Sequence, residues 1–327
     1  MQRIARRAIG ALLIGSGMLL GAASVAQEWP SRPVTFVVPS AAGGSPDVLS
    51  RTVMNQLSKD LGASFVVENK PGAAGSIGIV QIKRAQPDGY TIGYGNINTL
   101  AVNRALFNNL TYDVDADLQP VIHFFSIYNV LIVPADSPLK SVADLLRRAK
   151  EAPGKMSYGA PGIGTTGHMG GELFKSLGGI KVEFIPYNSG PAAIQDLLGG
   201  RLDYMFSNSS ESIPLIKSGK VRALGVSSMK RLPSLPDVPT VDEAGLKGYE
   251  TIAWGGVVAP KGTPAAVVDK LNMAVQKALQ APNVIESLAT LGAEPGGGSA
   301  ADFKALIDRE TVKWKGIIET AGIKKLD

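Results

Sequence analysis

The chain has 327 residues, no cysteine and only two histidines. Without thiols there is no disulfide framework, no cysteine nucleophile and no Cys-ligated zinc or iron–sulfur centre. The sequence also lacks a G-x-S-x-G elbow, a Walker A loop and an H-E-x-x-H pair, so nothing marks a hydrolase nucleophile, a phosphate loop or a zinc-protease helix. Charge of one sign is scarce as well: 33 Lys plus Arg stand against 28 Asp plus Glu, with no basic block interleaved with aromatics. A nucleic-acid surface would need such a block, so no nucleic-acid partner is expected. What is abundant is glycine (38) and proline (21) in a chain that is 45% hydrophobic and 19% charged. That is the composition of a loop-rich globular protein, long enough for one large domain or two ordinary ones.

The first 26 residues differ from the rest. Arg3, Arg6 and Arg7 precede an apolar run from Ala8 to Ala23, and Ser24-Val25-Ala26 offers small residues for cleavage. This pattern predicts a secretory signal over residues 1–26. The run is shorter than the roughly 18 to 20 residues a membrane span needs, and Gly15, Ser16 and Gly17 interrupt it. Taking the three leader arginines from 33 leaves 30 basic residues against 28 acidic ones, a mature balance of +2. No cysteine is available to carry a lipid tether, so the expected location is the periplasm, unlipidated.

Beyond the leader, short β-branched runs alternate with helix-period segments separated by Gly and Pro turns, the pattern of parallel βαβ units. Val34 to Val38 reads as a strand and Pro46 to Lys59 as a helix with Leu49, Val53 and Leu57 on one face, stopped by Gly62. The glycine-rich loop Pro71 to Gly75 follows the next strand. From Val121 to Val133 runs a long apolar segment, VIHFFSIYNVLIV, which suits one extended strand crossing between two lobes; the βα pattern then restarts. A second apolar segment, Ile252 to Val258, can return the chain to the first lobe, with helices at Ala265 to Leu279 and Asp302 to Glu319 completing it. The expected division is lobe 1 from 27–124 plus 251–327 and lobe 2 from 125–250, with a cleft between them. Two tandem domains joined near residues 134–141 are the alternative.

Two segments open the two lobes with one design. Pro39-Ser40-Ala41-Ala42-Gly43-Gly44-Ser45-Pro46-Asp47 runs from a strand through a glycine turn into a helix, with Ser45 suited to the N-cap and Pro46 to the first helical position. Gly159-Ala160-Pro161-Gly162-Ile163-Gly164-Thr165-Thr166-Gly167-His168 repeats the arrangement, with Thr165 or Thr166 as cap. Such turns lie at the carboxyl ends of strands, where ligands of open α/β sheets bind. A helix N-terminus offers unpaired N–H donors and the positive end of a dipole, so an anion fits both. Neither turn holds Lys or Arg, which predicts a carboxylate held by main-chain N–H groups, hydroxyls and water.

Other readings compete for the same residues. Gly162-Ile163-Gly164-Thr165-Thr166-Gly167 is a literal G-x-G-x-x-G, but its downstream acid, Glu183, falls inside the strand Val182 to Ile185 instead of ending it. His123 sits in an apolar strand and reads as packed or at the hinge. His168 sits in the first turn of a helix beside the candidate site and can orient the loop or touch the ligand. Asp47, near a helix N-terminus, stabilises the helix or takes part in binding. A secreted hydrolase using His168 and Asp47 is the enzymatic alternative, although no nucleophile partner is identifiable.

The runs VPSAAGGSPDVLSR, VVENKPGAAGSIG, PDGYTIGYG, GKMSYGAPGIGTTGHMGGELFK, VEFIPYNSGPAAIQDLLGGRLDYMF, GKVRALGVSS, LPDVPTVDEAG and APKGTP, in this order over the mature chain, resemble the Bug-type receptors. These are the extracytoplasmic solute-binding proteins of tripartite tricarboxylate transporters. The resemblance implies an α/β, two-lobed type II periplasmic binding protein fold with hinge strands and an interlobe cleft. It also implies a monomer without cofactor or metal that performs no chemistry, binds a small carboxylate (a di- or tricarboxylate, an aromatic acid or an amino acid) and hands it to membrane permease subunits; a sensory receptor of the same fold is the variant. Carried onto this sequence, the binding turns are Ser40, Ala41, Ala42, Gly43, Gly44 and Asp47, then Gly162, Gly164, Thr165, Thr166 and His168, with Tyr187, Asp203 and Asn208 near the cleft. Ser40 stands where the family usually has an aromatic residue, which leaves room for a bulkier ligand. Tyr187-Asn188-Ser189-Gly190-Pro191 and Phe206-Ser207-Asn208 also depart from the usual pattern.

Overall fold

Residues 29–320 and 322–327 are described by the structure, a computed structural model; the leader expected at residues 1–26 lies outside them. The β-branched runs form strands and the periodic segments form helices, in alternation. The first part comprises β1 (Val34–Val38), α1 (Ser45–Leu61), β2 (Phe65–Asn69), α2 (Ser76–Arg84) and β3 (Thr91–Asn96). A helical segment at Asn98–Val102, the short helices α3 (Asn103–Leu106) and α4 (Val114–Asp117), and the long β4 (Leu118–Pro134) follow. Next come α5 (Val142–Glu151), β5 (Ser157–Ala160), α6 (Thr166–Gly178), β6 (Glu183–Pro186), α7 (Gly190–Leu198), β7 (Tyr204–Asn208), α8 (Ser209–Lys217) and β8 (Val221–Val226). The chain ends with β9 (Ile252–Pro260), α9 (Ala265–Leu279), α10 (Pro282–Thr290), β10 (Ala293–Gly297) and α11 (Ala300–Thr320).

β1 pairs in parallel with β2 and β3, and β5 in parallel with β6 and β7. β4 joins the two sets. Its residues Leu118 to Tyr128 run antiparallel to β9, which also pairs with β3, and β10 lies along residues 123–127. From Asn129 onward the same strand pairs with β7 and β8. The apolar run VIHFFSIYNVLIV therefore forms one strand because each of its ends has a different sheet to pair with. β9, at the second apolar segment, pairs with the first set of strands and carries the chain into the helices that cover it.

Period-two alternation divides the strand side chains between the faces. Phe36 packs on one side of the first set with Leu49, Phe124, Val257 and Leu271, while its neighbour Val37 packs on the other with Ile79, Leu100, Trp254 and Trp314. Met205 and Phe206 separate in the same way, Phe206 meeting Tyr158, Phe174 and Tyr249 and Met205 meeting Ile194, Leu197 and Ile213. Each set is thus covered by helices on both faces. Full burial of one such side chain stabilises by about 1.5 to 3 kcal/mol. α1 illustrates the link from sequence: Leu49, Val53 and Leu57 recur at helical spacing and are all buried, and Gly62 ends the helix at φ 61°.

Candidate functional site

One cavity of about 510 Å³ opens where several strands end. Its wall is built from the segments that follow β1 (Pro39 to Pro46), β2 (Pro71 to Gly75), β3 (Asn96 to Asn98), β5 (Pro161 to Gly167), β6 (Pro186 to Gly190) and β7 (Asn208, Glu211). All six lie at carboxyl ends, as expected for a ligand site in such a sheet. Tyr94, Phe125, Phe206 and Trp254 add an apolar wall.

The two glycine turns line this cavity but differ in what they offer. At the first, Gly44 is the N-cap and Ser45 and Pro46 open α1, so the expectation of Ser45 as cap is corrected by one residue. Pro46 has no N–H, and the N–H of Asp47 donates to the Gly44 carbonyl at 3.0 Å. The N–H of Ser45 donates to Glu211 Oε1 at 3.1 Å, and Ser45 Oγ donates to the same oxygen at 3.0 Å. The expectation of two open amide cradles is therefore corrected: the helix end behind the first turn is occupied by a carboxylate of the protein itself. The second turn is open. Thr165 caps α6, accepting from the His168 N–H at 3.4 Å and donating to the Gly162 carbonyl at 2.8 Å. Thr166 and Gly167 then stand in the first helical turn, where the geometry of the helix gives their N–H groups no internal acceptor, and both line the cavity. A Cβ on Gly167 would stand 2.7 Å from the Phe206 carbonyl, so only glycine lets α6 start this close to β7.

Of the residues singled out from sequence, Ser40, Ala41 and Gly44 line the cavity from the first turn, and Gly162, Thr165 and Thr166 from the second. Tyr187 and Asn208 line it too; the Tyr187 hydroxyl donates to Asp196 Oδ2 at 2.7 Å. Ala42, Gly43 and Gly164 shape the turns without forming the wall. Asp47 is also behind it: its carboxylate accepts the Gly43 N–H at 2.8 Å and pairs with Arg51 at 2.8 Å, so it fastens the turn and the helix. His168 is buried, with its ring 4.2 Å from that of Phe184, and its Nδ1 accepts the Gly164 N–H at 3.2 Å. Burial lowers its pKa to about 4, so at neutral pH it is an uncharged acceptor that positions the turn. Asp203 is misplaced by the sequence reading. It precedes β7 and accepts the Ser157 N–H at 2.8 Å at the amino ends of the strands. Five residues of strand, about 16 Å, separate it from Asn208 at the cavity. His123 lies on β4 with its ring 6.3 Å from that of Phe303, and burial lowers its pKa.

Three features of the site were missed. Pro71 to Gly75 lines the cavity, and within it Ala73 (φ 45°) and Ala74 (φ 52°) hold left-handed backbone conformations that disfavour a side chain. Its glycine-rich sequence after a strand is the same signal that marked the other two turns. Polar atoms on the wall await partners: among the described residues, Ser40 Oγ, Asn129 Oδ1 and Trp254 Nε1 are buried without one. Glu211, on α8, had no signal beyond its place three residues after Asn208.

Comparison with known proteins decides what such a cavity belongs to. Residues 49–323 match the TctC family model, described as the tripartite tricarboxylate transporter family receptor. The chain belongs to this family. A solved structure, R. palustris Rpa4515 with adipate, is 38% identical, superposes with a TM-score of 0.89 and covers 91% of this chain and 100% of its own. The periplasmic binding protein BugD is 36% identical with a TM-score of 0.86, covering 91% and 100%. MatC from Rhodopseudomonas palustris, with bound malate, is 32% identical with a TM-score of 0.84, covering 88% and 99%. The fold is thus that of the two-lobed periplasmic binding proteins of the TctC and Bug type. The TctC family consists of solute-binding receptors and not of enzymes, which removes the dinucleotide and hydrolase readings of the second turn.

Proposed function

We propose that this receptor captures a small carboxylic acid in the periplasm and presents it to the permease subunits of a tripartite tricarboxylate transporter. The observation that carries the reading is the open start of α6, where the Thr166 and Gly167 N–H groups meet a cavity whose wall contains no Lys or Arg. A carboxylate is an anion that main-chain donors and neighbouring hydroxyls can hold without a cationic side chain. One helix end supplies only about 0.3 to 2 kcal/mol, whereas micromolar affinity needs about 8. Ser40 Oγ, the Trp254 indole N–H and the apolar wall are the further sources within reach. The adipate in one similar structure and the malate in another support the same ligand class.

In this reading the unit formed by residues 27–124 and 251–327 and the unit formed by 125–250 are the two lobes that close on the ligand. The chain is exported by its leader, carries no lipid and acts as a monomer. A thermal-shift panel of mono-, di-, tri- and aromatic carboxylates tests the proposal. An acid present at 100 times its Kd should add about 2.7 kcal/mol of stability. If no acid raises the melting temperature while neutral sugars or cations do, the carboxylate assignment is wrong.

A further inference from the structure

Among the described residues that form the cavity wall, Glu211 is the single one whose side chain carries a full charge; the only other titratable groups there are the phenols of Tyr94 and Tyr187. No cation stands beside it. Its Oε1 is held by the Ser45 N–H and hydroxyl, and Ser45 Oγ in turn accepts from Asn208 Nδ2 at 3.0 Å and from Ser210 Oγ at 2.6 Å. Asn208 Oδ1 accepts from Asn129 Nδ2 at 3.0 Å. The other carboxylate oxygen packs against Gly190, where any Cβ would collide with it, so the helix start of α7 is shaped to admit this acid. Glu211 is therefore a built and oriented group, to which the Ser207 side chain adds a further hydrogen bond. On the same network Asn129 is 1% exposed and lines the cavity with Oδ1 unpartnered. That unpartnered position is an acceptor.

An anionic ligand alone does not suit this wall. Its carboxylate would share a partly desolvated cavity with Glu211, and like charges in such surroundings repel strongly. Burial already raises the Glu211 pKa, so a second anion would force it to take up a proton. A positively charged N–H donor on the ligand removes the conflict, pairs with the Glu211 carboxylate and satisfies Asn129 Oδ1. We infer that Glu211 is a specificity-determining residue and that the ligand is an acid that also carries an ammonium group, an amino acid or close analogue, its amine facing Glu211 and Asn129 and its carboxylate at the start of α6. This rests on the carboxylate reading of the same cavity and narrows it.

Isothermal titration of matched pairs tests the inference: succinate against aspartate, glutarate against glutamate, and adipate against 2-aminoadipate. In at least one pair the wild-type protein should bind the amino member about 10- to 100-fold more tightly, the range expected of a charge-assisted hydrogen bond. Glu211→Gln, which keeps size and hydrogen bonding, should bring the ratio of that pair to about one. A wild-type protein that binds the plain diacid at least as tightly, with a ratio unchanged in the variant, overturns this inference and leaves the carboxylate reading standing. Absence of binding by both members of every pair overturns this inference, while the carboxylate reading is decided by the thermal-shift panel. Titration of the wild-type protein in two buffers of different ionisation enthalpy needs no variant: the amino member should bind without proton uptake, and uptake of a proton with it would refute an ionised Glu211 opposite the amine.

Discussion

At Gly167 the separation between α6 and β7 leaves no room for a side chain, since a Cβ would also stand 3.2 Å from that of Ala160. Gly167→Val should lower the free energy of unfolding by about 1 to 3 kcal/mol, the usual range for overpacking, and abolish the ligand-induced rise in melting temperature. Urea denaturation and thermal shift check the two parts separately. His168 sets a pH dependence. Its folded pKa, lowered to about 4 by burial, lies below the ordinary value of 6.5. The unfolded chain therefore binds the extra proton first, and stability is full above pH 6.5 and falls as pH drops toward 4. The loss should be on the order of 3 kcal/mol and should disappear from the profile of His168→Phe. Glu211 acts with the opposite sign, because its raised pKa favours the folded protein in acid and loses that contribution as pH rises through its folded value. These residues also mark how far single positions were legible. His168 and Thr165 were found because a glycine turn feeding a helix advertises its first turn. Asp203 was misassigned because a strand has two ends and only the carboxyl end faces the cavity. Glu211 was invisible because its partner Ser45 is 166 positions away, a separation no local pattern reports.

The elements were read best where a strong local rule applied. α1 matched the 3.6-residue period and its glycine stop, and β4 matched a long, mainly apolar run. α8 went unread because Ser209, Ser210, Ser212 and an internal Pro214 all argue against a helix, which packing of Ile213 against Val130 and Met205 overrides. α5 was overlooked although Ser141 and Asp144 form a legible reciprocal cap, the Asp144 N–H donating to Ser141 Oγ at 3.0 Å. The loop from Pro71 to Gly75 was noticed as punctuation and not as part of the wall. Its two left-handed alanines suggest a direct measurement. Ala74→Gly relieves about 1 to 2 kcal/mol of backbone strain against about 0.5 to 1 of added chain entropy, so it should stabilise the free protein slightly. If the strained loop is preorganised for the ligand, the same change should weaken binding even as the melting temperature rises. A variant that lowers both stability and melting temperature would show that the alanine conformation is not strained.

At the scale of the whole molecule, Ser45 joins segments far apart in the sequence, since α1 meets α8 through the hydrogen bonds of this one side chain to Asn208, Ser210 and Glu211. In the proposed two-lobed reading, these contacts tie segment 27–124 to segment 125–250. Ser45→Ala should therefore increase the radius of gyration of the ligand-free protein in small-angle X-ray scattering and leave that of the ligand-bound protein unaltered. An identical value for both ligand-free proteins would assign the closure to the sheet alone. The general architecture was accessible from sequence because strand–helix alternation and two long apolar segments are global patterns, whereas the meeting of six strand ends around one cavity is a property of their spatial order. β4 has one more consequence. Because a single strand supplies hydrogen bonds to both sets of neighbours, no cut through it leaves two self-sufficient pieces. Chimeras that swap one half between relatives must splice inside a shared ladder, whereas grafting the loops at the strand ends leaves that ladder intact and is the sounder route to a receptor with new cargo.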